Sequence, residues 1–498
     1  MDNYFIKTNR TFTNIRKYGW ILTVLIAIGG RWEPKLGLLV VFIMAGLTGV
    51  SFFTGRYWCG NICPHGSLFD SVIAPISRNK KIPKLFKNKV FGAIFLIFFA
   101  WSFSNKIIKI SPLWGTFDFL DKLGFIFSNT YLVVLIVGGI FALAINSRTW
   151  CQFCPMGSLQ KISYTAGKTV GVAKNTNVLV TIESKDKCHS CGKCSRVCPF
   201  QLTPYLDFND NNQFDNINCI KCGTCVENCP ASILSIKTEK QAIELKENTI
   251  VLGYENRQEI EAKITSIVDL GNDLREFEFT FQNPYEVNYK AGQFILVRIM
   301  DEPKQYRAYS ISSYNENKRS LKVIIKKVPK GFGTELIFDN FKVGSDIILE
   351  GPMGDELVVG DDVKKVLFVA NGIGITPFIA LVKDVLLNRP DIEEVKLLNG
   401  QKFENEFIYD DYFRELSKEY DKFHYIPVAS REENLDKGLR KGYVTNLIKE
   451  LDVADYKVYM CGSKNMISDS YKILLDKGLK TSDVFYESEE KIKIENVA

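Results

Sequence analysis

Twelve of the thirteen cysteines of this chain stand in four short clusters, and their spacing constrains the fold more than any other feature. The clusters are Cys59 with Cys63, Cys151 with Cys154, the run Cys188, Cys191, Cys194 and Cys198, and the run Cys219, Cys222, Cys225 and Cys229. Cys461 stands alone. A disulfide scaffold belongs to a short secreted chain that spreads its cysteines through one small domain. Here 498 residues predict three or four domains. Thiols grouped at intervals of two and three residues read as metal ligands in a reducing compartment.

Four apolar runs dominate the first third: Gly19–Gly30, Leu36–Phe53, Val90–Phe103 and Phe125–Ile145. The second and fourth are long enough to span a bilayer. The first and third need their flanks, with Lys17 and Lys106 reaching outward. No polar face runs through any of them, which argues against buried helices of a soluble core. Residues 1–160 are therefore expected to form a four-helix transmembrane block in the lipid of the cytoplasmic membrane. Arg10, Arg16 and Lys17 precede the first run; Arg78, Lys80, Lys81, Lys84, Lys87 and Lys89 separate the second from the third; Arg148 follows the fourth. The positive-inside rule then puts both termini and every cysteine cluster on the cytoplasmic side. The first run has no small-residue cleavage site and a second span follows it, so it does not read as a signal peptide.

The stretch "RYWCGNICPHG", Arg56 to Gly66, follows the second span, and "RTWCQFCPMG", Arg148 to Gly157, follows the fourth. Two helix ends thus bring Cys59, Cys63, Cys151 and Cys154 to one side at one depth. Four thiolates at one point suit an iron–sulfur cluster, with a four-thiolate zinc or a mononuclear iron site as the alternative. Each pair is followed by Pro-x-Gly, a repeated half-site. His65 reads as a proton donor near a reducible quinone, as an unusual ligand, or as an ordinary interfacial loop residue. The histidines are His65, His189 and His424, none inside a span, which excludes a haem held by two intramembrane histidines.

"CHSCGKCSRVCP", Cys188 to Pro199, and "CIKCGTCVENCP", Cys219 to Pro230, are both C-x2-C-x2-C-x3-C-P. This doubled motif resembles the bacterial two-cluster ferredoxins. The resemblance implies an α+β domain over 180–235 with two [4Fe–4S] clusters. Cys188, Cys191, Cys194 and Cys229 would hold one, and Cys219, Cys222, Cys225 and Cys198 the other. Gly192 and Gly223 would let backbone approach the clusters, and Lys193 and Lys221 would add positive charge nearby. Together with the two half-sites, the motif resembles the membrane-anchored polyferredoxins that accompany periplasmic nitrate reductase and nitrous-oxide reductase maturation. His65 stands where that family has a leucine-like residue. The resemblance implies electron exchange between a quinone pool and an acceptor outside the membrane.

From about Arg257 the texture changes to period-two strands such as "KITSIVDL" and "SLKVIIKKV". They predict an antiparallel barrel over 255–358. "DVKKVLFVANGIGITPFIALVKDVLL" reads as strand, glycine turn and helix, and "YKVYMCGS" as a further buried strand, giving a small parallel α/β domain over 360–490. The order barrel, G-x-G-x-x-P, Cys-Gly resembles the ferredoxin–NADP reductase superfamily over roughly residues 257 to 488. The resemblance implies an FAD site: Arg307 at the flavin phosphate, Tyr309 on the isoalloxazine, Ser310 near N5, with Gly331, Gly333, Thr334, Gly351 and Gly354 at the diphosphate. It also implies a nicotinamide dinucleotide site shaped by Gly372, Gly374, Thr376 and Pro377. Cys461 and Gly462 would lie beside the nicotinamide ring and Glu487 near the reaction centre, so Ser310, Cys461 and Glu487 are the catalytic candidates. Ser430 and Arg431 fall where the adenosine ribose is contacted, and an arginine there suits the 2'-phosphate of NADPH, though relatives using NADH have similar stretches.

The chain therefore reads as an NAD(P)H-dependent iron–sulfur flavoprotein oxidoreductase. Electrons would pass from NAD(P)H through FAD and two [4Fe–4S] clusters to a third cluster at the membrane cysteines. The final acceptor would be a quinone, a redox protein in or beyond the membrane, or a soluble ferredoxin. Two other readings remain: a reductase or maturation factor dedicated to a metalloenzyme, and reverse flow from quinol or ferredoxin to NAD(P)+. A net charge of +6 without a long basic stripe and interleaved aromatics excludes nucleic acid as a partner.

Overall fold

The computed structural model describes residues 4–314, 316–433 and 438–487. The chain divides into two compact units. One contains Met1–Lys185 and Gly192–Thr249; the other contains Asp186–Cys191 and Ile250–Ala498.

In the first unit three helices are long and apolar enough to cross a membrane: Pro34–Thr54, Lys89–Leu113 and Phe117–Ala144. A hydrocarbon core of about 30 Å needs about 20 helical residues. The first of the four expected spans is not among these three helices. Residues 14–29 stay in the right-handed helical region through Asn14–Tyr18, Gly19, Trp20–Val24 and the π-helical Leu25–Gly29. At 1.5 Å per residue, Trp20–Gly29 rises only about 15 Å, half a bilayer. Its near end is fixed by the Trp20 N–H, which donates to Ser67 Oγ at 2.9 Å. At its far end a Cβ on Gly30 would overlap Ser128, and one on Gly37 would overlap the Gly124 carbonyl. Small residues thus let a helical hairpin, Trp20–Thr54, press against Phe117–Ala144. The third run, short in sequence, is lengthened by its flanks to Lys89–Leu113, with Val90, Ile94, Ile97, Phe98 and Trp101 exposed.

Beyond the spans, both half-sites use one device. Cys63 and Cys154 each precede a proline that opens a helix, Pro64–Ser67 and Pro155–Thr169. Proline suits the first helical position because its missing N–H would have no partner there.

The ferredoxin-like segment carries a small antiparallel sheet with β1 (Val178–Ile182) between β2 (Gln213–Phe214) and β3 (Leu234–Thr238). The second unit begins with six antiparallel strands: β4 (Gln258–Gly271), β5 (Leu274–Asn283), β6 (Phe294–Asp301), β7 (Lys304–Ser310), β8 (Ser320–Lys326) and β9 (Asp346–Met353). Their order is β7-β6-β9-β4-β5-β8, and an Ile311–Val323 bridge joins the two ends into a barrel. Phe277, Phe279, Ile295, Val297, Val323 and Leu349 fill it.

A parallel sheet follows: β10 (Lys365–Asn371), β11 (Glu394–Gln401), β12 (Phe423–Ala429), β13 (Arg440–Lys441), β14 (Lys457–Cys461) and β15 (Val484–Glu487). Its order is β13-β12-β11-β10-β14-β15. The chain moves outward from β10 to one edge, then returns to place β14 on the other side. That reversal is a topological switch point, where open parallel sheets leave a crevice at their carboxyl ends.

Candidate functional site

The residues expected at a dinucleotide collect at this crevice. The turn Gly372–Ile375 leaves β10, and Thr376 and Pro377 open the helix Thr376–Asn388. Cys461 and Gly462 leave the neighbouring β14. The two turns interlock: a Cβ on Gly374 would overlap the Cys461 carbonyl, and one on Gly462 would overlap Asn371 Oδ1. Asn371 ties them further, accepting from the Ser463 N–H at 2.7 Å and donating to Ser463 Oγ at 3.0 Å. Gln401, at the end of β11, donates to the Gly372 carbonyl at 3.0 Å. Ser430 and Arg431 follow β12 on the same edge, their N–H groups donating to the Gln401 and Lys402 carbonyls. Glu487 ends β15 in register with Cys461. Cys461 itself is half-buried against the apolar cluster beneath the sheet.

The expected flavin residues gather on the barrel. Arg307, Tyr309 and Ser310 lie on β7 opposite Val297, Ile295 and Phe294 of β6. Gly333 presses on Arg307, where a Cβ would come within 2.7 Å of Nε. Gly331 caps the helix Phe332–Asn340, and Thr334 Oγ1 accepts from the Val328 N–H at 3.0 Å, closing that loop. A helix N-terminus beside a guanidinium suits a diphosphate. Gly351 and Gly354 lie against β6, where a Cβ on either would meet Ile295 or Phe294 at 2.7 Å. At these positions neighbouring protein atoms come too close for a Cβ, and the guanidinium, helix N-terminus and glycine turns gathered there fit FAD and a nicotinamide dinucleotide.

The loop Asp186–Cys191 belongs to this same unit and is pinned to the barrel. Arg307 Nη1 donates to the Cys191 carbonyl at 2.8 Å, and Arg257 Nη1 to the Cys188 carbonyl at 2.9 Å. The Tyr306 N–H donates to the Ser190 carbonyl at 3.3 Å. His189 packs edge-on against Phe294, ring centroids 5.1 Å apart, and its Nε2 is 3.3 Å from Tyr254 Oη. Two ligand candidates of the first ferredoxin cluster are thereby held by the flavin barrel.

In the first unit the Cys225 thiol is pushed well above its ordinary range, first by burial and then by the nearby charges of Cys222, Cys219, Cys194 and Cys198. Burial and Cys222 push Cys198 up to about 11. Cys194 and Cys198 thus both lie near Cys219, Cys222 and Cys225. Buried thiols that oppose one another's ionisation fit a cationic iron core, which would hold them as thiolates.

Cys59, Cys63, Cys151 and Cys154 also converge. Burial raises Cys63 and Cys154, the latter to about 12, and in both the charges of Cys59 and Cys151 add to the rise. Among the described residues no three His, Cys, Asp or Glu side chains are grouped tightly enough to hold a single metal ion. The surrounding shell was not read from the sequence. Gln160 Nε2 donates to Cys59 Sγ at 3.0 Å. Arg56 and Arg148, both fully buried, reach Cys59 Sγ at 3.8 Å and Cys151 Sγ at 3.6 Å. The available signal was an arginine three residues before the first cysteine of each half-site.

The ferredoxin segment packs directly on this site. One apolar cluster contains Cys59, Cys151 and Cys154 together with Phe200, Ile220, Cys198 and Cys222. Lys221, expected as a charge near a cluster, lies within electrostatic reach of Cys219 and is also buried and tied to the helical block. Its ammonium donates to the Thr54 carbonyl at 2.6 Å and to Asn177 Oδ1. His65 is buried against Tyr131, ring centroids 4.4 Å apart, and its Nε2 has no hydrogen-bond partner.

Comparison with known proteins locates four family models on the chain. An oxidoreductase FAD-binding domain matches residues 261–356 and an oxidoreductase NAD-binding domain residues 368–472. A 4Fe-4S dicluster domain matches 181–230, and a 4Fe-4S binding domain matches both 36–83 and 129–172. The CDP-6-deoxy-L-threo-D-glycero-4-hexulose-3-dehydrase reductase of Yersinia pestis is 26% identical, covering 63% of this chain and 90% of its own length. The propane 2-monooxygenase reductase component of Rhodococcus jostii is 23% identical over 60% of this chain and 82% of its own. Among solved structures, a ferredoxin NADP+ reductase from Neisseria gonorrhoeae aligns with a TM-score of 0.41 and 21% identity, over 47% of this chain and 98% of that one.

Proposed function

We propose that this NAD(P)H-dependent iron–sulfur flavoprotein oxidoreductase, whose C-terminal part belongs to the FAD- and NAD-binding ferredoxin reductase superfamily, delivers electrons from NAD(P)H to the membrane through three iron–sulfur clusters. One observation carries the reading. Cys198 and Cys222 share an apolar cluster with Cys59, Cys151 and Cys154, while the loop bearing Cys188 and Cys191 is hydrogen-bonded to the flavin barrel. With the ligand sets that the ferredoxin resemblance implies, electrons would pass in the order flavin, first ferredoxin cluster, second ferredoxin cluster, membrane cysteines. FAD supplies the conversion of a two-electron hydride into single electrons that clusters can carry.

The protein's own residues bind and orient. The interlocked turns at Gly374 and Gly462 shape the dinucleotide crevice. Arg307 and the helix starting at Phe332 receive the flavin diphosphate. Arg257 and Tyr306 hold the cysteine loop to the barrel. The three long apolar helices anchor the assembly in lipid, with the cysteine sites on the cytoplasmic side. The acceptor is a quinone or a redox protein at the membrane.

A second reading has support in the relatives, which are named as reductases of particular enzymes. On it the client would be one metalloenzyme rather than the quinone pool. Anaerobic stopped-flow reduction with NADPH and with NADH, followed by EPR of frozen samples, tests the route. The expected result is flavin bleaching and then three cluster signals, the third missing in Cys59→Ala. Oxidised clusters beside a reduced flavin would end this reading. Steady NAD(P)H consumption with a soluble quinone and no other protein separates the two acceptors.

A further inference from the structure

The third cysteine site has two arginine arms, and only one of them has a carboxylate partner. The arms are exchanged between the half-sites. Arg56 donates to the Cys151 carbonyl at 3.0 Å, and Arg148 donates to the Cys59 carbonyl at 3.2 Å. Each also fills the space left by the opposite half-site's glycine. A Cβ on Gly157 would lie 2.8 Å from Arg56, and one on Gly66 would lie 2.9 Å from Arg148.

Their charge surroundings differ. Arg148 makes a two-point pair with Asp70, at 2.9 and 2.6 Å. Asp70 is shared with Arg16 and, at 3.9 Å, with Arg10. Arg56 has no carboxylate partner among the described residues, and its Nε and Nη1 are buried without hydrogen-bond partners. What covers it is the ring of Phe200, 4.7 Å away, two residues beyond Cys198.

The buried charges therefore do not cancel. Arg10, Arg16, Arg56 and Arg148 stand against the single carboxylate of Asp70. Burying unmatched cations is prohibitive unless an anion joins them. A [4Fe–4S] core of charge 2+ with four thiolates carries two negative charges, and three after it gains an electron.

We propose that Arg56 sets the reduction potential of the cluster held by Cys59, Cys63, Cys151 and Cys154, raising it so that this cluster is the terminal sink of the chain. The inference rests on the reading of those cysteines as cluster ligands. Charge and hydrogen bonding at the ligand sulfur are the protein's levers on a cluster's potential. An unneutralised cation at Cys59 Sγ favours the more negative, reduced form. Arg148, turned toward Asp70, acts on the potential less and holds the fold more. The electron comes from NAD(P)H by the route above, one per cluster reduction.

The test is an EPR-monitored redox titration of the purified full-length protein, with iron counted per chain. Wild type should carry about twelve irons and three signals; about eight irons and two signals would overturn the cluster reading itself. With the third signal present, Arg56→Gln should lower its midpoint so that reduction at a fixed potential falls at least tenfold, about 59 mV for one electron. Arg56→Lys, which keeps the charge, should lower it less, and Asp70→Asn should raise it. The two ferredoxin midpoints should stay in place. An unchanged third midpoint in an iron-replete Arg56→Gln protein, or equal shifts in the Gln and Lys variants, would refute the proposal. So would loss of the third cluster's iron in Arg56→Gln with retention of an unshifted midpoint in Arg56→Lys.

Discussion

Single atoms decide the dinucleotide crevice. A methyl group on Gly374 would overlap the Cys461 carbonyl, which is backbone and cannot swing aside. Gly374→Ala should therefore force the two turns apart and cut NAD(P)H-driven flavin reduction more than tenfold while FAD content, judged by absorbance, stays at wild-type level. Farther from the chemistry, Lys457 and Asp483 pair at 2.5 Å, mostly shielded from solvent, at the foot of β14 and β15. The bond from Lys457 holds the Asp483 carboxyl below its ordinary 3.8. A depressed carboxylate stabilises the fold above its unfolded pKa and loses that contribution as pH falls through the folded one. Asp483→Asn should cost about 1 kcal/mol at pH 7. Thermal melts of wild type and variant should converge below pH 3.8. The glycines at the crevice were legible because their spacing repeats a pattern, whereas Asn371, which locks the turns, looked like any residue at the end of a strand. The arginine exchange was hidden for a related reason: each partner lies about ninety residues away.

At the level of elements, the ferredoxin segment and the cysteine half-sites meet backbone to backbone. A side chain on Gly60 would overlap the Ile220 carbonyl. Gly60→Val should leave all cluster signals in place yet slow reduction of the third by at least tenfold, read as a lag between the second and third EPR signals. Lys221→Met should act in the same direction and more weakly, since it removes two hydrogen bonds but no volume. The convergence of four membrane-side cysteines was legible, because two apolar runs of similar length end on them. The shortness of the first helical run was not. Its composition matches its neighbours, and its far end at Gly30 packs closely on Ser128. Apolar composition records where a segment is buried, not how far it travels.

For the whole molecule, the predicted arrangement is a reductase held at the bilayer by the helices Pro34–Thr54, Lys89–Leu113 and Phe117–Ala144. Extraction should require detergent, and an impermeant thiol reagent should label the apoprotein in inverted membrane vesicles and not in intact cells. The exchanged arginines have a consequence of a historical kind. Arg-x-Trp-Cys opens both half-sites and Cys-Pro-x-Gly-Ser-Leu closes both. Reciprocal contacts between like segments are what two copies of one peptide make around a twofold axis. A short chain carrying one such half-site, pairing with itself, would bring together the same four cysteines, and duplication followed by fusion would preserve the arrangement. Where Asp70 stands in one copy, Lys161 stands at the matching place in the other. Fusion is what makes such a difference heritable. Once each half is written separately, an ambidextrous site can acquire a left and a right.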